Sequence, residues 1–320
     1  MISARRSTVR RVRSRRCRIG AARLVSTLAA RLAVWGGVEV CADAAAASHA
    51  HAALIGGRTA ARGTFRGLAY VRWSGRHTRL LARTCTGTVV APNVVLTAAH
   101  CVLTLEHSAN RNFHTLLPLA GFRVSTGNVD VATAAKVQVT PVSKIFVYPG
   151  YDASAEFGDA AVLILAKPTT DPAIPLANSA QYLQPGTAAI MSGWGETFPY
   201  GKVTAQNPHL TTTLRWGIVT VQGPAYCHAQ AVATQKLSFW AAEQFCVIDP
   251  RFVVQGCYGD SGGPLLVEPT RTAILDIGIY SLGDPHCSPR VPAVYTRVDF
   301  VHGWVEQMIA AAKPRRGGRE

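Results

Sequence analysis

From Phe65 onward the chain runs as short apolar, β-branched stretches, each broken by Gly, Pro or Asn. Cys85–Val90 and Val94–Thr97 flank Ala91-Pro92-Asn93, which predicts a hairpin. Further strand-like runs lie at Lys136–Val139, Ile145–Tyr148, Ala160–Leu165, Ala188–Met191, Leu214–Val221, Leu265–Val267, Ala273–Tyr280 and Val294–Val298. Short strands at regular spacing, with turn residues between them, predict an all-β sandwich or barrel. The last pattern differs. Phe300, Val301, Trp304, Val305, Met308 and Ile309 recur at helical spacing, so Asp299–Ala312 reads as one amphipathic helix. Its stripe is a packing face and not a cofactor site.

The two ends depart from this pattern. Residues 1–53 hold ten Arg against Glu39 and Asp43, a charge of +8, with a moderately apolar Leu24–Val40 stretch that Arg31 and Glu39 interrupt. A basic segment, an apolar segment and small residues before a cut describe an export signal. Ala50-His51-Ala52 fits the cut, and a short propeptide is compatible with the Ala-rich stretch around it. The tail from Lys313 to Glu320 adds +3. Of the formal +15, the body between the ends therefore carries only +4. It shows no basic stripe interleaved with aromatics, which argues against a nucleic-acid partner. Charged residues at 16% and apolar residues at 48% of 320 describe a globular chain with enough length for a sizeable core. No Walker or Rossmann fingerprint is present, and no internal repeat.

Eight cysteines divide into Cys17 and Cys41 in the leader and six in the body: Cys85, Cys101, Cys227, Cys246, Cys257 and Cys287. An even number behind an export signal suggests three disulfides, for which sequence alone allows fifteen pairings. No spacing matches a zinc site, so no metal is expected.

Three stretches carry the chemistry. Gly259-Asp260-Ser261-Gly262-Gly263-Pro264 offers a serine among glycines, which let backbone turn tightly and face a substrate with free N–H groups. A serine hydroxyl is a weak nucleophile and needs a base oriented by a third group. Thr97-Ala98-Ala99-His100-Cys101 supplies a base, and Asp159, which opens the apolar run after Gly158, supplies the orienting acid. Asp152 and Glu156 lie nearby but begin no strand. The order His100, Asp159, Ser261 and these motifs resemble the chymotrypsin/trypsin-like serine proteases over roughly Leu54–Ala312. The central motif also fits the G-x-S-x-G elbow of α/β-hydrolases, with Asp276 or Asp284 and His286 or His302 as nominal partners. Too little chain follows Ser261 for that fold, and it lacks helix–strand alternation.

The resemblance implies two six-stranded antiparallel β-barrels with a C-terminal α-helix, a seam within Pro168–Pro185, and Ser192-Gly193-Trp194-Gly195 opening the second half. It selects the pairs Cys85–Cys101, Cys227–Cys246 and Cys257–Cys287. It makes Ser261 the nucleophile, His100 the general base, Asp159 its orienter, and the N–H groups of Gly259 and Ser261 the oxyanion hole. Losing one such donor costs about 3–4 kcal/mol of transition-state stabilisation. Leu54-Ile55-Gly56-Gly57 resembles the family's mature N-terminus, with Leu54 where Ile or Val is usual. The freed Leu54 ammonium would pair with Asp260, which implies a zymogen and an activating protease.

The residue six before the nucleophile, at the base of the family's primary pocket, is Gln255. Its neutrality implies cleavage after a neutral residue and not after Arg or Lys. Ser281, Leu282 and Gly283 would form the pocket wall, Ala293 its lower part and Tyr258 its rim. The expectation is a secreted, monomeric serine endopeptidase acting on proteins or peptides, without cofactor or membrane attachment after processing. The Ala and Arg usage is compatible with a high-GC bacterium. The alternative is a catalytically silent, protease-shaped binding protein.

Overall fold

Strands β1 (Leu68–Trp73), β2 (Arg83–Ala91), β3 (Val94–Thr97), β4 (Phe122–Thr126), β5 (Val139–Val147) and β6 (Ala161–Leu165) close into an antiparallel barrel in the order β1-β2-β3-β6-β5-β4. This is the arrangement in a computed structural model that describes residues 54–313 apart from 76–82, 105, 109–110, 114, 128, 134–137, 198–210, 236–237 and 271–272. The basic leader, Cys17, Cys41 and all of the tail beyond Lys313 lie outside the described residues.

A second barrel follows from β7 (Ala188–Gly193), β8 (Arg215–Val221), β9 (Gln244–Ile248), β10 (Pro264–Thr270), β11 (Ala273–Leu282) and β12 (Ala293–Arg297). Its order, β7-β8-β9-β12-β11-β10, repeats that of the first, and Arg58–Thr59 adds an edge to β8. The chain thus folds twice into one topology without a detectable sequence repeat. Closure leaves no open edge in either ring.

A short helix, α1 (Pro224–Gln230), lies between β8 and β9 and carries no clear periodic signal in the sequence. Pro224 sits at its first helical position, where the missing N–H is harmless. Nine of the twelve barrel strands form where the apolar pattern places them; β1, β4 and β9 match no predicted run, and three of the runs are corrected. The run Ile145–Tyr148 is part of one longer strand, β5, and Tyr148 lies past its end. The run at Lys136–Val139 begins among residues outside those described, and Val139 opens β5. Val298 is not strand: it starts helix α2 (Val298–Ala312), one residue before the predicted start.

Burial explains the one strand of the first barrel that is apolar throughout its length. All five residues of β6 are buried, because one face looks into the barrel and the other meets α2 through Val298, Val301 and Val305. A fully buried Val or Leu there is worth about 1.5–3 kcal/mol relative to exposure. Helix α2 follows the last strand of the second barrel yet packs on the core of the first, and Asn93 donates to the Ala312 carbonyl at its end. It ties the two barrels together. Threonines of β2 do so as well: Thr86 N–H donates to Ser261 O at 2.8 Å, Thr86 Oγ1 to Gly259 O at 3.0 Å, and Thr88 Oγ1 to the buried Asp276 at 2.9 Å. Burial pushes the Asp276 carboxyl up to about 7, against hydrogen bonds from Thr88 and the Gly278 N–H.

Among the described residues the disulfides are Cys85–Cys101, Cys227–Cys246 and Cys257–Cys287. The first ties β2 to the turn that follows β3. Replacing Cys85 and Cys101 together by Ala is expected to lower stability by about 2–5 kcal/mol. Denaturant titration reads this as a lower midpoint, with a slope no smaller than that of the bridged protein because the unfolded chain is less constrained; an unchanged midpoint would show that the bridge holds nothing.

Candidate active site

His100 sits in a single 3-10 turn, Ala99–Cys101, directly after β3. The turn is clamped on three sides. Cys101 is bonded to Cys85, Arg83 Nη1 donates to the carbonyls of His100 and Leu103, and the His100 N–H donates to Asp159 Oδ1 at 3.0 Å. Asp159 stands two residues before β6 and is completely buried. Its Oδ2 lies 2.7 Å from His100 Nδ1 and accepts the Ser281 hydroxyl at 2.7 Å. Its backbone carbonyl accepts from Thr296 Oγ1. One aspartate of the first barrel is thereby fixed by two strands of the second, β11 at its carboxylate and β12 at its backbone.

Ser261 lies in the loop before β10, half-buried, with its carbonyl held by Thr86. Cys101 Sγ is 3.9 Å from His100 Nε2 and 3.6 Å from Ser261 O, so one sulfur touches both residues. Gly259 has φ +99° and Gly262 +76°, backbone open to glycine at little cost. At Gly262 a methyl group would also lie 2.6 Å from Thr86 O and 2.7 Å from Ala98 N. The serine loop can therefore approach the His100 turn only because that side chain is absent. The Gly262 N–H donates to Tyr280 O at 2.8 Å and the Tyr280 N–H to Gly263 O at 2.9 Å, which seats the loop against β11.

Electrostatics follow from burial and from charge. Burial opposes a charge on His100, but the Asp159 carboxylate, its hydrogen bond and the nearby Glu156 outweigh that and raise its pKa above the usual imidazole value. Burial would likewise raise Asp159, yet the His100 charge and hydrogen bonds from His100 and Ser281 hold it below the usual carboxylate range. Glu156, at a left-handed φ of +55°, is pushed up to about 7 by burial and by Asp159, against the pull of His100 and a hydrogen bond from Tyr151. Ligand atoms of His100, Glu156 and Asp159 lie within 4.8 Å of one another. Three donors already engage Asp159 there, so the trio reads as a hydrogen-bonded base and not as an open cation site.

Asp260, beside Ser261, is buried and accepts the N–H groups of Gly195 at 2.8 Å and Cys257 at 2.9 Å. Burial lifts its pKa to about 7, with those two bonds opposing and the Glu196 charge adding to the rise. Leu54 is also fully buried, in the second-barrel cluster that holds Tyr280 and Tyr295, and both tyrosines feel the Asp260 charge. Ile55 bridges to Gln255.

The residues expected around the primary pocket gather between β11, β12 and the Val254–Tyr258 segment. Gln255 is buried, and its amide is engaged: Nε2 donates to Val291 O at 2.6 Å and Ser288 O at 3.2 Å, while Oε1 accepts from Gly256 N–H. Ala293 is buried at the start of β12. Leu282 and Gly283 are half-buried, and Tyr258 is exposed, its hydroxyl donating to Pro285 O. Sequence reasoning placed Ser281 in the pocket wall and missed that its hydroxyl holds Asp159, a contact 122 residues apart in the chain. It also missed Tyr280 and the position of Glu156 beside the histidine.

The Trypsin family model matches residues 54–305. A trypsin of Saccharopolyspora erythraea is 32% identical over 71% of this chain and 87% of its own length. A trypsin-like protease of Streptomyces glaucescens is 30% identical over 87% of this chain and 91% of its own. Human transmembrane protease serine 5 is 30% identical over 79% of this chain, which spans only half of that protein's length.

Proposed function

The chain belongs to the trypsin family of serine endopeptidases, and on that premise we propose that His100, Asp159 and Ser261 are the triad of a secreted enzyme that cleaves after a neutral residue. Ser261 Oγ attacks the scissile carbonyl while His100 Nε2 takes its proton, and the imidazolium then gives that proton to the leaving amine. Asp159 holds the Nδ1–H tautomer and stabilises the imidazolium. The N–H groups of Gly259 and Ser261 receive the oxyanion. Water, activated by the same histidine, then releases the acyl group from Ser261. The observation that carries the reading is the buried Asp159 carboxylate, 2.7 Å from both His100 Nδ1 and Ser281 Oγ, on a histidine whose Nε2 shares the Cys101 sulfur with the Ser261 carbonyl.

Leu54 is the N-terminus of the active form in this reading, its ammonium neutralising Asp260 once a protease has removed what precedes it. Gln255 offers the primary pocket no charge, and its amide is spent on the Ser288 and Val291 carbonyls. Without a carboxylate at that depth, a Lys or Arg side chain would be desolvated with no partner. No described helix is long and apolar enough to cross a membrane, and the basic leader with its A-x-A site supports export. The test is hydrolysis of a peptide library varied at the residue before the scissile bond, using protein that starts at Leu54 and a Ser261→Ala control. Cleavage after neutral residues that the control lacks is expected. Cleavage after Arg or Lys would reject the pocket assignment, and no cleavage would favour a binding protein.

Glu156 supplies a pH prediction. The general base must be neutral, so activity falls as pH drops through the His100 pKa, which lies above the usual value. Part of that rise comes from Glu156. Glu156→Gln removes the charge, lowers the His100 pKa and is expected to move the acid limb of kcat/KM to lower pH. An acid limb that stays in place would show that the carboxylate does not act on His100.

A further inference from the structure

The slot proposed to receive the side chain before the scissile bond lies between two walls, Gln255–Tyr258 and Ser281–Gly283. Each wall contributes a glycine facing the other. A methyl group built on Gly256 would overlap the ring of Tyr280 and lie 2.9 Å from its Cζ. One built on Gly283 would overlap the Tyr280 hydroxyl and lie 3.3 Å from the same Cζ. One aromatic ring thus fills the space that both glycines leave. The glycines do not open the slot; they make room for the tyrosine.

The ring is held there. Tyr280 is only 4% exposed and packs edge-on against Tyr295, ring centroids 5.2 Å apart. Its own N–H and carbonyl are tied to Gly263 and Gly262 of the serine loop. The β11–β12 pairing shifts register between Tyr280 and Leu282, next to this ring. Beneath it, Gln255 and Ala293 are buried, and the Gln255 amide is committed to backbone.

We infer that Tyr280 is a specificity-determining residue that fills the lower primary slot, so that the enzyme cleaves after Gly, Ala or Ser and rejects Leu, Phe, Lys and Arg. A large side chain entering the slot meets a close-packed ring, and overpacking of that kind is strongly unfavourable. This rests on the triad reading above and narrows its neutral preference to small residues.

The experiment compares kcat/KM on matched peptide amides that differ only in Ala, Leu, Phe or Arg before the scissile bond. Protein starting at Leu54 is expected to favour Ala over Leu and Phe by about 100-fold or more. Tyr280→Val should raise the Phe-to-Ala and Leu-to-Ala ratios by about the same factor. Tyr280→Leu, which keeps a larger apolar side chain in the site, should shift both ratios in the same direction if the valine variant folds poorly. A wild-type enzyme that cleaves after Phe or Leu as well as after Ala would overturn the inference, as would ratios unmoved in a folded variant. Labelling of Ser261 by a small fluorophosphonate, which does not need the slot, separates the two readings. Labelled protein with a large-residue preference rejects the role of Tyr280 alone, whereas protein that neither labels nor cleaves rejects the triad.

Discussion

Asp159→Asn is expected to lower kcat by about 10⁴-fold, the size of effect known for this family's template, while leaving the fold intact. Three donors converge on the Asp159 carboxylate: His100 N–H on Oδ1, and His100 Nδ1–H with the Ser281 hydroxyl on Oδ2. An asparagine must place one NH₂ among them. At the Oδ1 position it would face a backbone N–H that cannot become an acceptor. At the Oδ2 position it meets a hydroxyl and a ring nitrogen, both of which can accept. The second arrangement is therefore favoured, and it forces the His100 proton onto Nε2. A protonated Nε2 cannot take the serine proton. Single-turnover kinetics should show the loss in acylation, with KM changed far less than kcat. A kcat within about tenfold of wild type would mean that Asp159 does not set the tautomer.

Residues retained before Leu54 are expected to lower kcat/KM by about a hundredfold to several thousandfold. Asp260 is buried with two N–H donors and the Glu196 charge nearby, and no side-chain cation pairs with it among the described residues. Gly193 and Gly195 admit it, since a methyl group on either would run into its carboxylate. Leaving a buried charge without its partner costs about 3–5 kcal/mol, and each 1.4 kcal/mol is about tenfold in rate. The pH dependence has a definite sign. In the extended chain the folded pKa of Asp260, about 7, stands above its unfolded value. Its contribution to stability is complete below the unfolded pKa of about 4 and is lost as pH rises through about 7. Pairing with the Leu54 ammonium removes this loss. Melting temperatures of the extended and Leu54-started forms should therefore diverge as pH rises from about 4 to about 7. Parallel curves and equal kcat/KM would show that Leu54 does not serve Asp260.

Much of this was legible in the chain because the physics was local. Hairpin β2–β3, strand β6 and helix α2 announce themselves by apolar, β-branched runs, by a turn at Pro92-Asn93 and by a stripe at helical spacing. The site motifs are short and ordered, so His100, Asp159 and Ser261 could be singled out before any geometry. What escaped depended on register and on distance. β1 and β9 mix Arg or Gln with apolar residues, and their burial comes from closing a ring. The duplicated topology leaves no sequence trace because the same order of strands can be built from unrelated apolar residues. Ser281 reaches Asp159 only across the two barrels. Tyr280 read as one more strand residue in Ala273–Tyr280, and nothing in that run shows that its ring lies between two distant glycines.

Reaction of the Leu54-started protein with a peptidyl diphenyl phosphonate bearing a small residue before the phosphorus tests the triad most directly. Intact mass and peptide mapping should find one adduct, on Ser261, which forms in wild type, is absent in Ser261→Ala and slows sharply in Asp159→Asn. An adduct that persists in Ser261→Ala, or none on a correctly processed and folded wild type, would contradict a catalytic role for Ser261.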